Sequence, residues 1–141
     1  MGRLRLINGS LMNEQKIILK QIPVAQPRAR VTKWGSYDPA HEHKAYAKLQ
    51  ASQQVKEIIE GPLEVDVTFY MPIPKSESKK RKALMLTNEF KHQKQKDLDN
   101  LLKYLFDVLN EVVFKDDKQV WSIQAKKLYS DDPRTEIILR W

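Results

Sequence analysis

The apolar positions of this chain recur with two periods, and the strongest signal is helical. Over residues 97–112, at about 100° per residue, Leu101, Leu102, Leu105, Phe106, Val108, Leu109, Val112 and Val113 fall within one arc. Asn100, Lys103, Asp107 and Glu111 fill the opposite stripe, so the spacing predicts a central amphipathic helix. An earlier helix is expected over residues 38–59, with Asp38 as N-cap, Pro39 at its first position, and Ala45, Leu49, Ala51, Val55, Ile58 and Ile59 as its packing face. Four stretches read as strands. Residues 16–22 form a β-branched run stopped by Pro23, residues 63–70 alternate apolar with polar, and residues 119–129 and 135–141 flank the turn Asp131-Asp132-Pro133 as an expected hairpin. Ser76 or Ser78 is expected to cap a short helix over residues 79–85, followed by a polar loop over residues 87–96. Residues 1–15 show no clear period and read as an N-terminal extension outside the fold. Residues 16–141 then make one α/β domain, a mixed sheet of about four strands packed with two main helices.

Length and composition add little to this picture, but charge adds much. The 141 residues suit one domain with a sizeable core. There are no cysteines, so neither a disulfide framework nor a thiolate metal site is available. No apolar run approaches the roughly 18 residues of a membrane span, and the expectation is a cytoplasmic protein with no membrane partner. The net charge is +7, and residues 75–96 hold eight basic side chains against Glu77 and Glu89, a net +6. A positive field so concentrated attracts phosphates by sequence-independent electrostatics. Lys79, Lys80, Arg81, Lys82, Lys94 and Lys96 are the candidate phosphate contacts. Arg28 and Arg30 join them from a segment that also carries Trp34 and Tyr37. That segment is either a twisted hairpin with exposed arginines or a loop whose arginines lie on phosphates while an aromatic ring stacks on an unpaired base.

The positive run leads into Asp97-Leu98-Asp99. Carboxylates at a helix start can simply cap free backbone N–H groups. Two so close together, with Asp116-Asp117 downstream, can instead hold a hard divalent cation through oxygen ligands. Lys103, one turn past Asp99, is then placed to offset transition-state charge or protonate a leaving oxygen. Other chemistries fit less well. His41 and His43 are two positions apart on an expected helix and do not face each other, so they read as exposed first-turn residues rather than zinc ligands. A nucleophilic Asp at a strand end needs apolar residues before it, and here residues 91–96 are polar. A Ca²⁺ hand lacks its later Asp/Asn, Gly and Glu ligands.

Taken together, Asp97-x-Asp99-Asn100-x-x-Lys103, the amphipathic helix, and Asp116-Asp117-x-Gln119-Val120 resemble the RusA family of Holliday junction resolvases. The likeness is greatest to phage and prophage members, in which a Pro-x-Ser-x-Ser-Lys-Lys segment precedes the acidic motif, as Pro74-Lys75-Ser76-Glu77-Ser78-Lys79-Lys80 does here. It extends to Pro27-Arg28-Ala29-Arg30 and covers the chain from about residue 16 onward. The resemblance implies a Mg²⁺-dependent homodimeric endonuclease, with Mn²⁺ as an alternative metal, that cuts four-way DNA junctions by paired incisions in recombination and repair. It implies Asp97, Asp99 and Asp117 as metal ligands, favouring Asp117 over Asp116, and Lys103 as a further catalytic residue. The competing reading is a non-catalytic basic DNA-binding protein whose acidic motif is only a helix cap. A last constraint is length. A helix over residues 97–112 spans about 22 Å, too far for Asp117 to double back to Asp97 within one subunit. Antiparallel packing of two central helices about a two-fold axis would bring the start of one to the end of the other, giving composite sites.

Overall fold

The computed structural model describes residues 3–7, 9–27, 30–37, 41–94 and 96–141, and every structural statement below concerns these residues. The strands in chain order are β1 (Arg3–Ile7), β2 (Ser10–Leu19), β3 (Arg30–Thr32), β4 (Gly35–Tyr37), β5 (Leu63–Pro72), β6 (Val120–Ser130) and β7 (Arg134–Arg140). The helices are α1 (His41–Gln54), α2 (Lys79–Leu86) and α3 (Leu98–Leu109). β3 and β4 pair only with each other, and the other five strands make a mixed sheet in the order β1-β2-β7-β5-β6. β6 runs parallel to β5, and the remaining neighbours are antiparallel.

Period-2 alternation gives the sheet one apolar face. β5 buries Leu63, Val65, Val67, Phe69 and Met71, β7 buries Ile137 and Leu139, and β2 buries Ile17 and Leu19. α3 covers this face with Leu101, Tyr104, Leu105, Val108 and Leu109, and α1 adds Ala47 and Ala51 to the same core. Truncating one of these large side chains to Ala should cost about 2–5 kcal/mol, the usual penalty for a buried cavity. The opposite face of the sheet carries ion pairs. Arg140 bonds Asp66 (2.6 Å) and Glu14 (3.3 Å), Glu136 bonds Lys16 and Arg134 (2.6 Å each), and Arg134 stacks 3.8 Å from the Tyr70 ring centroid. Burial opposes the charge on Glu136, yet its bonds to Lys16 and Arg134 hold its carboxyl below the ordinary carboxylate range.

The single mixed α/β domain agrees with the sequence pattern, and the sheet is larger than about four strands. Residues 3–7 and 10–15, read as an extension, pair within it as β1 and the start of β2. The expected hairpin of the last two strands does not form: β5 lies between β6 and β7, and the turn at Asp131-Asp132-Pro133 carries the chain across it. Alternation marks a strand but not its neighbour, and β5 offers two edges for pairing. α1 ends at Gln54, with Ala45, Leu49 and Ile58 exposed. The expected cap at Asp38 and Pro39 lies outside the described residues. α3 stops at Leu109 because Asn110 leaves the helical region at ψ 131°, Glu111 follows at φ 64°, and Val113 packs into the core from the turn beyond. Trp141 packs against the core as expected, but Trp121 is 66% exposed, because it sits at the irregularity where the β5–β6 register shifts on an edge strand. α2 has its expected cap, the Ser78 hydroxyl accepting a bond from the Arg81 N–H at 3.2 Å.

Candidate functional site

Asp97 is the N-cap of α3, with extended backbone (φ −63°, ψ 142°), and its carboxylate makes no capping hydrogen bond. Asp99 lies in the first turn, and both carboxylates are exposed. The residue before them, Lys96, is held at φ 78°, a left-handed conformation that a side chain with a Cβ rarely adopts. Three contacts fasten this turn. Lys96 Nζ donates to the Pro23 carbonyl at 2.7 Å, Lys127 Nζ donates to the Lys96 carbonyl at 3.3 Å, and the Gln26 N–H donates to the Asn100 carbonyl at 2.9 Å. The loop after β2, the end of β6 and the start of α3 therefore meet at the acid pair. His92 packs on Tyr129 beside them, ring centroids 4.8 Å apart. Burial, then the charge of Lys127, lowers the His92 pKa, and burial lowers that of Lys96. The ammonium of Lys96, expected on a phosphate, is here turned to the Pro23 carbonyl.

Asp116 and Asp117 sit past the other end of α3. Asp116 caps the 3-10 turn Asp117–Gln119 with its Oδ1, which accepts from the Lys118 N–H at 2.9 Å. Gln119 Oε1 accepts in return from the Asp116 N–H at 2.9 Å, and Gln119 Nε2 donates to the carbonyls of Ile59 (3.0 Å) and Gly61 (2.9 Å). The Lys118 N–H holds the Asp116 carboxyl below its ordinary value. Asp117 is exposed. α3 itself is about 18 Å long, and the two acidic pairs lie off its opposite ends. Among the described residues of one chain, no group of three or more His, Cys, Asp or Glu side chains could hold a metal ion. The structure thus places Asp97 and Asp99 in one turn and leaves Asp117 apart. Lys103 is exposed one turn along α3 from Asp99.

Of the candidate phosphate contacts, Lys79, Lys80, Arg81 and Lys94 are exposed and Lys82 is half-buried. Arg81 is partly spoken for: its Nε bonds Glu77 at 2.6 Å and its guanidinium lies 5.0 Å from the Phe90 ring centroid. Arg81, Phe90, Lys91, Lys94 and Tyr129 line an open cleft of ≈ 390 Å³. Arg28 lies outside the described residues, and Arg30 is placed only as part of β3. Trp34, at the tip of the β3–β4 hairpin, is 86% exposed, with Lys33 Nζ 5.1 Å from its ring. His41 and His43 are exposed in the first turn of α1, as their spacing predicts.

A family model described as Endodeoxyribonuclease RusA matches residues 21–140, from just after β2 to the end of β7. The chain belongs to the RusA endodeoxyribonuclease family. It is also similar to the Uncharacterized protein YqaN of Bacillus subtilis (strain 168), with 40% identity over 127 residues, 84% of this chain and 89% of that protein. The RusA match takes in both acidic pairs, α2 and the β3–β4 hairpin, and leaves out β1 and β2. Lys127, inside a strand, had no signal in the sequence pattern. Gln119 stands in the acidic motif, and the spacing Asp116-x-x-Gln119 also carried the signal of its capping role.

Proposed function

We propose that this RusA-family protein is a Mg²⁺-dependent, homodimeric endonuclease that resolves four-way (Holliday) DNA junctions by paired incisions in recombination and repair. Mn²⁺ would be an alternative metal and the cysteine-free chain suits the cytoplasm. The observation that carries the reading is the unused carboxylate of Asp97. An Asp at a helix N-cap ordinarily accepts a backbone N–H two or three residues on. Here that bond is absent, so Asp97 and Asp99 offer two hard oxygen ligands to solvent beside the positive segment. This speaks against the competing reading, in which the acidic motif does nothing but cap. The donor set fits a hard cation, with no thiolate to favour a softer one. Mg²⁺ bound by Asp97 and Asp99, with Asp117 completing the set, would polarise the scissile phosphoryl group.

The protein's own groups do the rest. Lys103, exposed one turn along α3 from Asp99, would stabilise charge on the leaving oxygen or protonate it. Lys79, Lys80, Arg81, Lys82 and Lys94, with Arg28 and Arg30, would hold flanking phosphates, and the exposed ring of Trp34 would stack on an unpaired base. The separation of the acidic pairs supports composite sites, each with Asp97 and Asp99 from one subunit and Asp117 of the partner subunit. α3 spends its apolar face on its own sheet, so a helix-to-helix seam has little apolar surface to bury. β6 is a better seam, since it is a sheet edge that exposes Trp121 and Ile123. β6 begins just past Asp117, and at Lys127 it touches the residue before Asp97. Antiparallel pairing of two such edges about a two-fold axis would bring the Asp117 end of one subunit to the Asp97 end of the other.

The test uses a labelled four-way junction and a linear duplex of the same sequence, with and without Mg²⁺. Cutting confined to the junction with Mg²⁺ is expected, and Mg²⁺-indifferent binding without nicking would overturn the reading. Mixing inactive Asp97→Asn and Asp117→Asn subunits separates the site designs. Composite sites regain one intact site per mixed dimer and nick once, whereas sites built within one chain stay dead. Wild type mixed with the double variant Asp97→Asn/Asp117→Asn gives the reverse, with no cutting by the mixed dimer if sites are composite.

A further inference from the structure

We infer that Lys127 is a positioning residue for the acid pair, its ammonium holding the Lys96 carbonyl so that the following peptide presents Asp97 away from the helix it caps. The inference rests on the nuclease reading above and concerns a residue in a strand, remote in sequence from Asp97 and Asp99.

Lys127 is half-buried on β6, whereas its neighbour Lys126 is exposed. Its Nζ reaches inward to the Lys96 carbonyl at 3.3 Å. That carbonyl belongs to the peptide joining Lys96 to Asp97, and Lys96 is the residue strained at φ 78°. A non-glycine residue stays in that region only when its surroundings over-determine it, and strain of this kind concentrates at functional sites. Here Lys127 holds the carbonyl side, the bond from Lys96 Nζ to Pro23 (2.7 Å) holds the side chain, and the bond from the Gln26 N–H to Asn100 (2.9 Å) fixes the first turn of α3. Without the Lys127 bond, Lys96 is free to relax toward negative φ, which swings the Asp97 backbone against a helix that stays in place. The Asp97 carboxylate would then leave its setting relative to Asp99. A ligand carboxylate is sensitive to such support: removal of an outer partner typically weakens metal binding by about 10–100-fold. Misplacement by about 1 Å can slow a reaction by roughly 100-fold.

The experiment compares full-length wild type with Lys127→Met, Lys127→Gln and Lys127→Arg. Binding of Mn²⁺ to the free protein is measured by paramagnetic resonance, single-turnover junction cutting is followed across a Mg²⁺ series, and junction affinity without divalent ions is followed across a salt series. Lys127→Met should weaken Mn²⁺ binding about 10-fold and raise the Mg²⁺ needed for half-maximal cutting by a similar factor. The salt slope of junction binding should stay unchanged, and Lys127→Arg should recover most of the deficit. Should Lys127→Met fail to fold, Lys127→Gln, which keeps a neutral donor and the stem, decides by the same readouts. A salt slope reduced by about 0.9, the mark of one phosphate no longer neutralised, with Mn²⁺ binding intact would overturn the inference and make Lys127 a DNA ligand. Unchanged metal dependence would also overturn it. Wild type that neither binds Mn²⁺ nor cuts would instead remove the nuclease reading beneath it.

Discussion

Asp97 and Asp116 both stand at the N-cap of a helical segment, yet only Asp116 uses its carboxylate there. Asp116 accepts the Lys118 N–H and is answered by Gln119, whose amide is itself tied to the backbone after α1. Asp97 makes no capping bond, while the lysine before it is strapped into a strained turn from two sides. One end of α3 therefore spends its acid on structure, and the other leaves its carboxylate open to solvent. Asp117, next to the structural acid, is exposed to solvent as Asp97 is. Within the Asp116-Asp117 pair, position relative to the backbone decides that Asp116 does the capping.

The largest expected effect breaks the comparison at its chemical end. Asp97→Asn, Asp99→Asn or Asp117→Asn should slow junction cutting at least about 100-fold, the scale of removing one charge interaction from a transition state, with junction affinity kept. Asp116→Asn should be milder. Full activity in Asp97→Asn would mean that its free carboxylate is idle.

Next comes binding. Replacing Lys79, Lys80 and Lys82 by Gln should weaken affinity for junction and duplex alike and flatten the salt dependence by about 0.9 for each phosphate that is no longer neutralised. Arg81→Gln should do less, because Glu77 already answers its charge. A salt dependence unmoved by the triple change would make α2 an ordinary solvated surface.

Thermal melts then sharpen the structural half. Asp116→Ala removes a cap and should lower Tm, whereas Asp97→Ala removes no capping bond and should leave Tm nearly unchanged. Equal drops in Tm would erase the difference between the two caps.

The smallest effects lie in pH. His92, beside the Asp97 end, has its pKa lowered below 6.5 by burial and then by Lys127, so the unfolded chain binds the extra proton more readily. Its contribution is present above about pH 6.5 and is lost as pH falls from there through the folded value. Asp116 has its carboxyl lowered below 3.8 by the Lys118 N–H, so its contribution is present above that value and is lost only as pH falls through the lower folded one. The Tm of wild type should sag as pH falls below about 6.5 in a manner that His92→Phe reduces, and Asp116→Ala should leave that sag untouched. A sag unchanged in His92→Phe would place its origin elsewhere.

Much of this was legible in the residues. α3, β5, the cap of α2 and the exposed histidines follow from periodicity and short-range chemistry. Leu4 and Leu6 alternate with arginines, but both stay exposed on β1, so no burial pattern marks it. The clue to its hairpin was the Asn-Gly dipeptide at positions 8–9 of the sequence, a pair of residue types that favours tight turns. Strand order was not legible, since pairing depends on which edges remain free after collapse. In the site, residue types gave the acids, the lysines and the two-ended arrangement. Whether Asp97 caps, where Lys96 points and what Lys127 holds depend on backbone angles at one turn, which composition does not encode.

The place of β7 between β2 and β5 has a consequence for how the protein comes into being. Ile137 must meet both Ile17 and Val67, so the middle of the sheet is filled by the last of these strands to be synthesised. Until then β2 has no partner on its β7 side and β5 has only β6, and the apolar platform under α3 stays split. Pairings between residues so distant in the chain close slowly, because loop entropy is given up before they form. A half-made or truncated chain would carry both acidic pairs and the positive segment with nothing to hold them in register. The two acidic pairs would come into their final setting only after synthesis has passed β7.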